Sequence, residues 1–323
     1  MKRRTLVVSL AVAVIAAFLS HLHLGVAATD KAKRKILFFS KSSGFEHSVI
    51  SYKKGQPAYA EKILADLGEK NGWEFTFTKD GSIFTPEGLK PFDAVFFYTT
   101  GDLTTPGTDQ QPPMPPNGRQ TLIDYISAGH GFIGTHSAAD TFHTDNEAKK
   151  GPDRYLNHGD KADPYVRLIG GEFIKHGAQQ KAHMRCVDST FPGLEKCAEG
   201  FDMLEEWYSL KDFSSNLHVL LVQETDTMKG DEYARPAYPA TWIRQQGKGR
   251  VFYTSMGHRD DVWTNPLFQE ILTGGIRYAL GEVTADATPN LDKAAPGWAT
   301  NPPVPKPKPK AATPAPAPAP APQ

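Results

Sequence analysis

The sequence predicts an α/β domain built around a mainly parallel β-sheet with helices on both faces. In the middle of the chain, short apolar runs alternate with segments whose apolar residues recur at helical spacing. Strands separated by helices need crossover connections, which favour parallel pairing and put helices on both faces of the sheet. Without its two unusual ends the chain keeps roughly 250 to 270 residues, enough for one large domain with a substantial core.

The elements can be followed along the chain from these patterns. The apolar run at 35–39 predicts a first strand, and residues 57–67 predict a helix that we expect to stop at Gly68. A second strand alternates over 74–79, and the continuous apolar run at 94–98 predicts a strand buried on both faces. The later elements are a helix through Leu122 and Ile126, strands at 131–135, 219–222, 240–243 and 250–254, and a final helix over 267–280.

Neither end of the chain is predicted to belong to the fold. A short basic stretch, an apolar run of about 14 residues and small residues up to Ala28 predict a secretory signal peptide over residues 1–28. The run is shorter than the ~20 residues of a spanning helix, and an uncleaved N-terminal anchor is the alternative. We expect a periplasmic or secreted protein without stable membrane insertion after cleavage. Residues 296–323, rich in Pro, Ala and Lys, predict a disordered tail, which leaves the folded domain at 33–283.

Composition excludes several classes of function. The chain of 323 residues has 36 Lys and Arg against 36 Asp and Glu, so no net positive charge draws it to nucleic acid or anionic lipid. Two cysteines cannot form a disulfide scaffold or a four-thiolate zinc site. Cys186 and Cys197 either close a small disulfide loop or pack as buried thiols. Neither lies in a glycine-rich turn after a strand, which argues against a catalytic thiol.

Three histidines follow predicted strands at positions where α/β proteins bind ligands. His47 comes after the first strand, His136 after 131–135 and His258 after 250–254. The ligand crevice of such a sheet lies beyond the carboxyl ends of its strands. Two or three imidazoles with a carboxylate are typical of a catalytic divalent ion, zinc above all, with an open position. We therefore expect a metal ion on these three histidines; a surface His47 and a structural His136 are the alternatives.

The sequence around His136 has the outline of a nucleophile elbow. Small residues at Gly134 and Ala138 allow a tight turn that lifts the central side chain above the sheet. That side chain is an imidazole, and Ser137 one residue later would point elsewhere, which argues against acyl-enzyme chemistry. An imidazole at this position suits a metal ligand or a general acid and base.

A further motif, Glu205-Glu206-Trp207-Tyr208, puts two carboxylates beside two aromatic rings. This combination is common in sugar sites because a ring face packs against the apolar face of a pyranose. A core tryptophan beside solvated acids is the alternative. Among the remaining histidines, His176 is the best candidate for a place in the site.

Six segments of the sequence, at 44–47, 99–102, 131–140, 170–176, 205–208 and 249–258, are the basis for a comparison with known families. Taken in order, they resemble the trehalose-utilisation, ThuA-like family over about residues 35–280. The resemblance implies a flavodoxin-like three-layer α/β/α sandwich of the class I glutamine-amidotransferase superfamily. Relatives in that superfamily carry a nucleophilic Cys where this chain has His136, so glutaminase activity is not expected. The family is tied to uptake and breakdown of trehalose and similar disaccharides through oxidised 3-keto sugars. The chain departs from the family pattern at its two ends and at an insertion over 104–117.

Residues and resemblance together predict an enzyme of carbohydrate metabolism that acts on a disaccharide or keto-sugar by metal-assisted acid and base chemistry, as a lyase, hydrolase or isomerase. The expected partner is a small carbohydrate. The candidate residues are His136, Asp140 and Glu206 for catalysis, Trp207, Tyr208 and His176 for substrate binding, and His47, His136 and His258 for the metal. The alternatives are a non-catalytic carbohydrate-binding protein that stacks sugars on Trp207, Tyr208 and Trp263, and a wall-associated scaffold that uses the tail.

Overall fold

The computed structural model describes residues 32–53, 55–108, 110–144 and 151–305. The predicted signal peptide and the part of the predicted tail beyond residue 305 lie outside the described residues. Within the described ranges, no helix combines the length and the apolar character needed to cross a membrane.

The described residues form eleven strands and seven α-helices. The strands are β1 (Arg34–Phe39), β2 (Trp73–Thr78), β3 (Ala94–Phe97), β4 (Gly131–Thr135), β5 (Glu172–His176), β6 (Gln180–Cys186), β7 (Phe201–Glu205), β8 (Tyr208–Lys211), β9 (His218–Gln223), β10 (Tyr238–Gln246) and β11 (Gly249–Thr254). The helices are α1 (Tyr59–Asn71), α2 (Pro86–Leu89), α3 (Gly118–Ser127), α4 (Pro164–Ile169), α5 (Asp260–Trp263), α6 (Pro266–Ala279) and α7 (Leu291–Ala294).

Nine of these strands form one sheet in the order β2-β1-β3-β4-β11-β10-β9-β6-β7. From β2 to β11 every neighbouring pair is parallel, as the alternation of strands and helices predicts. From β11 to β7 every neighbouring pair is antiparallel, so β10 and β6 run against the other seven strands. Only Gly247 and Lys248 join β10 to β11, and a connection this short permits antiparallel pairing alone. Strands β5 and β8 form a separate antiparallel pair.

Helices cover both faces of this sheet, and strand residues alternate between two cores. In β1, Ile36 and Phe38 belong to the core that α1 and α6 cover, whereas Leu37 and Phe39 belong to the core that α3 and α4 cover. All four side chains are fully buried. Burial on both faces explains why the strand is a continuous apolar run. The architecture is the flavodoxin-like α/β/α sandwich that the sequence predicts.

Helix α1 ends later than the sequence suggests. A Cβ on Gly68 would lie 3.0 Å from the ring of Phe75 and 3.0 Å from the carbonyl oxygen of Trp73, so a small residue is needed there for packing. The expected stop at Gly68 is therefore wrong. The helix ends at Asn71, and Gly72, with φ of +74°, supplies the left-handed conformation that terminates it.

The folded domain extends beyond the predicted boundary at residue 283. The amide of Asn290 accepts a hydrogen bond from the Val219 N–H (2.6 Å) and donates one to the Val219 carbonyl (3.1 Å), which fixes the segment to β9. The indole of Trp298 packs against the core that α3 covers, and Pro302 is buried. The assignment of residues 296–302 to a disordered tail is therefore wrong.

Cys186 and Cys197 are free thiols. Cys197 lies within the core that α1 and α6 cover, and Cys186 packs against it. Burial raises the pKa of both thiols, that of Cys186 to about 11, so neither is a thiolate near neutral pH. Of the two alternatives, the structure contains the pair of packed thiols.

Gly275 of α6 lies directly over the ring of Phe252 in β11, where a Cβ would approach ring atoms to 2.4 Å. Gly275→Ala should lower the free energy of unfolding by about 1–3 kcal/mol, because overpacking pushes helix and strand apart. Urea unfolding measures the change. Thr273→Ala, at a partly exposed position of the same helix, is the control and should change stability by less than about 0.5 kcal/mol. Wild-type stability of Gly275→Ala would contradict this packing.

Candidate metal centre

Four side chains from distant parts of the chain meet at one edge of the sheet. His47, His136, Glu206 and His258, here called the histidine cluster, follow β1, β4, β7 and β11 respectively. One nitrogen or carboxylate oxygen of each lies within 4.8 Å of those of the others. These four strands run in the same direction, so their carboxyl ends share an edge. The structure thus brings together the three histidines expected to bind the metal and Glu206, which the sequence analysis assigns to catalysis.

The backbone holds His136 in an unusual conformation. Its φ is +42°, in the left-handed region that residues other than glycine rarely adopt. The Tyr253 hydroxyl donates to the His136 carbonyl (2.8 Å), and Nδ1 of the ring lies 3.0 Å from the Ser255 carbonyl. A carbonyl can only accept, so Nδ1 carries a proton, and Nε2 faces the cluster. The geometry agrees with the predicted elbow, with an imidazole at its tip.

The nitrogens and oxygens at the centre of the cluster face one another closely. Nε2 of His136 lies 3.3 Å from Nδ1 of His258, and Oε1 of Glu206 lies 3.6 Å and 3.2 Å from these two nitrogens. Such spacings around one point can be bridged by shared protons or by a small cation.

Glu205 positions two members of the cluster through their backbone. Its Oε1 accepts from the Glu206 N–H (2.8 Å), and its Oε2 accepts from the N–H groups of Gly257 (2.9 Å) and His258 (3.1 Å). The side chain is fully buried, and burial raises its pKa despite these hydrogen bonds. The Gly257 carbonyl accepts from the Tyr98 hydroxyl and the Trp263 indole, so the loop after β11 is fixed from both sides.

His47 is kept neutral by its surroundings. Only 3% of the residue is exposed, and its ring centroid lies 5.0 Å from that of His136 and 5.3 Å from that of His258. Burial, reinforced by repulsion from these two imidazoles, holds the pKa of His47 well below its ordinary value. Its Nδ1 is buried without a hydrogen-bond partner among the described residues.

Glu206 is kept ionised. Burial alone would raise the pKa of its carboxyl, but hydrogen bonds and positive charge from His136 and His258 outweigh burial and hold that pKa well below the usual range. Its second oxygen, Oε2, faces away from these two residues and lies 3.4 Å from Nδ1 of His176.

Tyr208 and His176, two of the predicted substrate residues, border the cluster. The Tyr208 ring lies 4.0 Å, centroid to centroid, from His136, and its hydroxyl lies 3.5 Å from Nε2 of His47. Tyr208 is buried, so it packs against the cluster as a core residue. The His176 side chain is about half exposed and stands at the rim.

The predicted stacking role of Trp207 does not fit the structure. Trp207 is fully buried, and its indole N–H donates to the Gln180 carbonyl within the core that α1 and α6 cover. Trp263, the other tryptophan considered for sugar stacking, is also fully buried. Neither ring has a face that a sugar could reach, because both serve as core residues.

Asp140 also lies apart from its expected partners. Its Oδ1 is 2.7 Å from Nε2 of His143, whose Nδ1 is 2.9 Å from Glu172. Although burial lowers the pKa of His143, the hydrogen bonds that its ring donates to Asp140 and Glu172 raise this pKa overall, which favours an imidazolium. Asp140 therefore pairs with His143 rather than with an imidazole of the histidine cluster, and its position does not match an orienting role there.

A second group of similar composition contains its own cation. A ligand atom from each of His158, Glu172 and Asp212 lies within 4.8 Å of the others. The buried Lys211 ammonium is 3.8 Å from Glu172, 3.5 Å from Asp212 and 3.4 Å from His158. This ammonium supplies the positive charge that a metal ion would otherwise bring.

Two residues beside the histidine cluster were not predicted from the sequence. Glu205 clamps the backbone of two cluster members, and Phe45, two residues before His47, is 67% exposed with its ring against that imidazole. Proximity to a candidate residue was the available signal for both. Residue type alone does not reveal that the glutamate is buried and the phenylalanine exposed.

Two solved structures share the fold. A ThuA-like protein from Bacteroides uniformis is 19% identical to this chain with a TM-score of 0.55, and the alignment covers 77% of this chain and 92% of that one. A ThuA-like protein from Parabacteroides merdae is 17% identical with a TM-score of 0.53, with 83% and 96% covered. The chain matches none of the curated proteins.

The family model described as ThuA, trehalose utilisation, matches residues 35–279. This range contains all four members of the histidine cluster, Glu205, and the strands of the nine-stranded sheet almost in full. The chain therefore belongs to the ThuA family, whose description connects it with carbohydrate metabolism.

Proposed function

We propose that this chain is an exported enzyme that acts on a disaccharide or keto-sugar with the help of a divalent metal ion, for which zinc is the best match. His47, His136 and His258 would bind the ion, with Glu206 beside them. The observation that supports this is the meeting of three imidazoles and a carboxylate, with ligand atoms within 4.8 Å of one another. Catalytic zinc sites with three protein ligands and an open position have this composition.

The protonation states of the cluster suit a metal ion. A ligand must offer a lone pair, and the environment keeps His47 neutral and Glu206 ionised. The orphaned Nδ1 of His47 is a buried polar atom that a ligand would satisfy. The Ser255 carbonyl orients His136 with Nε2 toward the cluster, as carbonyls behind metal-binding imidazoles do.

Bound zinc would polarise a carbonyl or hydroxyl oxygen of the sugar. Proton transfer falls to the chain itself. Glu206 faces the cluster with Oε1 and His176 with Oε2, and the half-exposed His176 ring can reach both a substrate and solvent. A carboxylate paired with an imidazole in this way can remove a proton and return it, as elimination, hydrolysis or isomerisation next to a sugar carbonyl requires.

The alternative, a non-catalytic carbohydrate-binding protein, rests on aromatic stacking platforms. Two of the three rings it needs, Trp207 and Trp263, are fully buried, and Tyr208 is 2% exposed. The metal-assisted reaction is the better supported of the two functions.

Metal content tests this proposal directly. Purified full-chain protein should carry about one zinc ion per chain, and His136→Ala should lose it because one of three imidazole ligands is removed. The turnover of a panel of glycosides and their 3-keto forms should fall in the variant that loses the metal. Elemental analysis by mass spectrometry measures the first quantity, and chromatography of the products the second.

His183→Ala is the matched control, since this exposed imidazole pairs with Asp202 on β7 and lies outside the cluster. It should keep both metal and turnover. A metal-free wild type together with undiminished turnover in His136→Ala would rule out the proposed chemistry.

Glu205→Gln should weaken zinc binding by about 10- to 100-fold, since groups that orient metal ligands have effects of this size. The amide can accept with one oxygen only, so its NH₂ group would face one of the N–H groups that the carboxylate now accepts. Competition with a chromogenic chelator measures the dissociation constant. Glu199→Gln, the same change at an exposed residue, should bind zinc like the wild type. Unchanged affinity in Glu205→Gln would argue against the clamp.

We propose export because residues 1–28 have the pattern of a signal peptide. The N-terminus of the protein expressed from the full-length gene tests this proposal. Mass spectrometry of the processed protein should find Thr29 as its first residue. Val14→Arg, which puts a charge into the apolar run, should leave the precursor uncleaved. Wild-type protein that keeps Met1 and stays in the membrane fraction would favour the N-terminal anchor instead.

A further inference from the structure

We propose that the mouth of the histidine cluster contains a sugar subsite in which a pyranose ring stacks on Phe45 while its hydroxyl groups bind a polar pocket beside His258. The inference deepens the proposed function and rests on it for the identity of the ligand class. It replaces Trp207, which the structure buries, with an aromatic ring that a sugar can reach.

Phe45 combines exposure with a fixed position. It is the most exposed of the large apolar side chains in the described residues, at 67%. Its ring contacts His47 in an edge-to-face arrangement with centroids 5.0 Å apart. The hydroxyl of Thr100 donates to the Phe45 carbonyl (2.9 Å) and accepts from the Gly44 N–H (3.3 Å), so the backbone beneath the ring is held.

An exposed, anchored aromatic ring at a polar centre has a chemical use. Exposing a phenylalanine forgoes the favourable free energy of burying it. The face of an aromatic ring packs well against the C–H face of a pyranose. Tyr59 on α1, another exposed ring, has no ring contact with a cluster member among the described residues. Phe45 therefore suits a ligand that approaches the histidines.

A polar pocket borders the cluster at His258. Its volume is about 360 Å³, within the usual range of small-molecule sites, and its lining residues are Ser48, Gln179, His258, Arg259, Asp260 and Asp261. His258 belongs to both the pocket and the cluster, and Ser48 follows His47 directly. The pocket and the candidate metal centre therefore meet at His258.

The chemistry of this pocket matches sugar hydroxyl groups, which both donate and accept hydrogen bonds. The Arg259 guanidinium is held in place by Asp261, with distances of 2.8 Å and 3.0 Å, and by Oε1 of Gln179. The amide nitrogen of Gln179, the Ser48 hydroxyl and the exposed Asp260 carboxylate add donors and acceptors of both kinds. A ring between this pocket and Phe45 would present its oxygens to the histidine cluster.

Calorimetric titration of the zinc-loaded full chain with trehalose tests the subsite. Wild type should bind the disaccharide. Phe45→Leu, which keeps an apolar side chain but removes the ring, should bind about five- to tenfold more weakly, as expected for the loss of one aromatic contact. Phe45→Trp should stay within about twofold of wild type, because it restores a ring face. Gln179→Ala should also weaken binding, since it removes a polar group and releases Arg259.

Tyr59→Ala, which removes an exposed ring far from the cluster in sequence, is the control and should leave binding unchanged. All of these variants should keep the wild-type metal content, because none of them alters a cluster residue. Equal affinity in wild type and Phe45→Leu would overturn the stacking role, and a wild type that does not bind trehalose would overturn the subsite. Phe45-dependent binding of trehalose by a protein that carries no metal would support the subsite and contradict the metal-assisted function.

Discussion

The buried carboxylate of Glu205 is the interaction on which the arrangement of the site depends. It accepts hydrogen bonds from the backbone of Glu206 at the end of β7 and from Gly257 and His258 after β11. These strands are far apart in the sheet order, so packing between neighbours does not set their spacing. One buried carboxyl group, whose oxygens accept from three N–H donors, thus positions two functional side chains beside the histidines that follow β1 and β4.

Much of the fold and the core of the site could be predicted from the sequence, because both follow from local patterns. The apolar run at 131–135 forms strand β4, and His136 follows the carboxyl end of this strand, where parallel sheets bind ligands. What failed depends on packing and pairing that sequence patterns do not encode. Gly68 packs inside a helix against β2, and Trp207 enters a core. Asp140 pairs with His143, three residues along the chain, and residue type alone does not indicate which histidine it contacts.

The turn after β4 shows how the backbone positions a functional side chain. His136 lies at this turn, directly after the last residue of the strand. Its positive φ of +42° and the Tyr253 hydrogen bond hold the side chain above the sheet regardless of its identity. With an imidazole in that position, the strained turn places Nε2 of His136 within 3.6 Å of both His258 and Glu206.

Lys211 explains why two groups of acids and histidines in one molecule are not chemically equivalent. In the group around His158, Glu172 and Asp212, the Lys211 ammonium lies 3.8 Å from Glu172 and 3.5 Å from Asp212 and offsets part of their negative charge. Among the described residues, the ion-pair partners of Glu206 are imidazoles instead. The lysine therefore acts as an internal counter-ion, which makes the histidine cluster the better candidate of the two groups for taking up an ion from the medium.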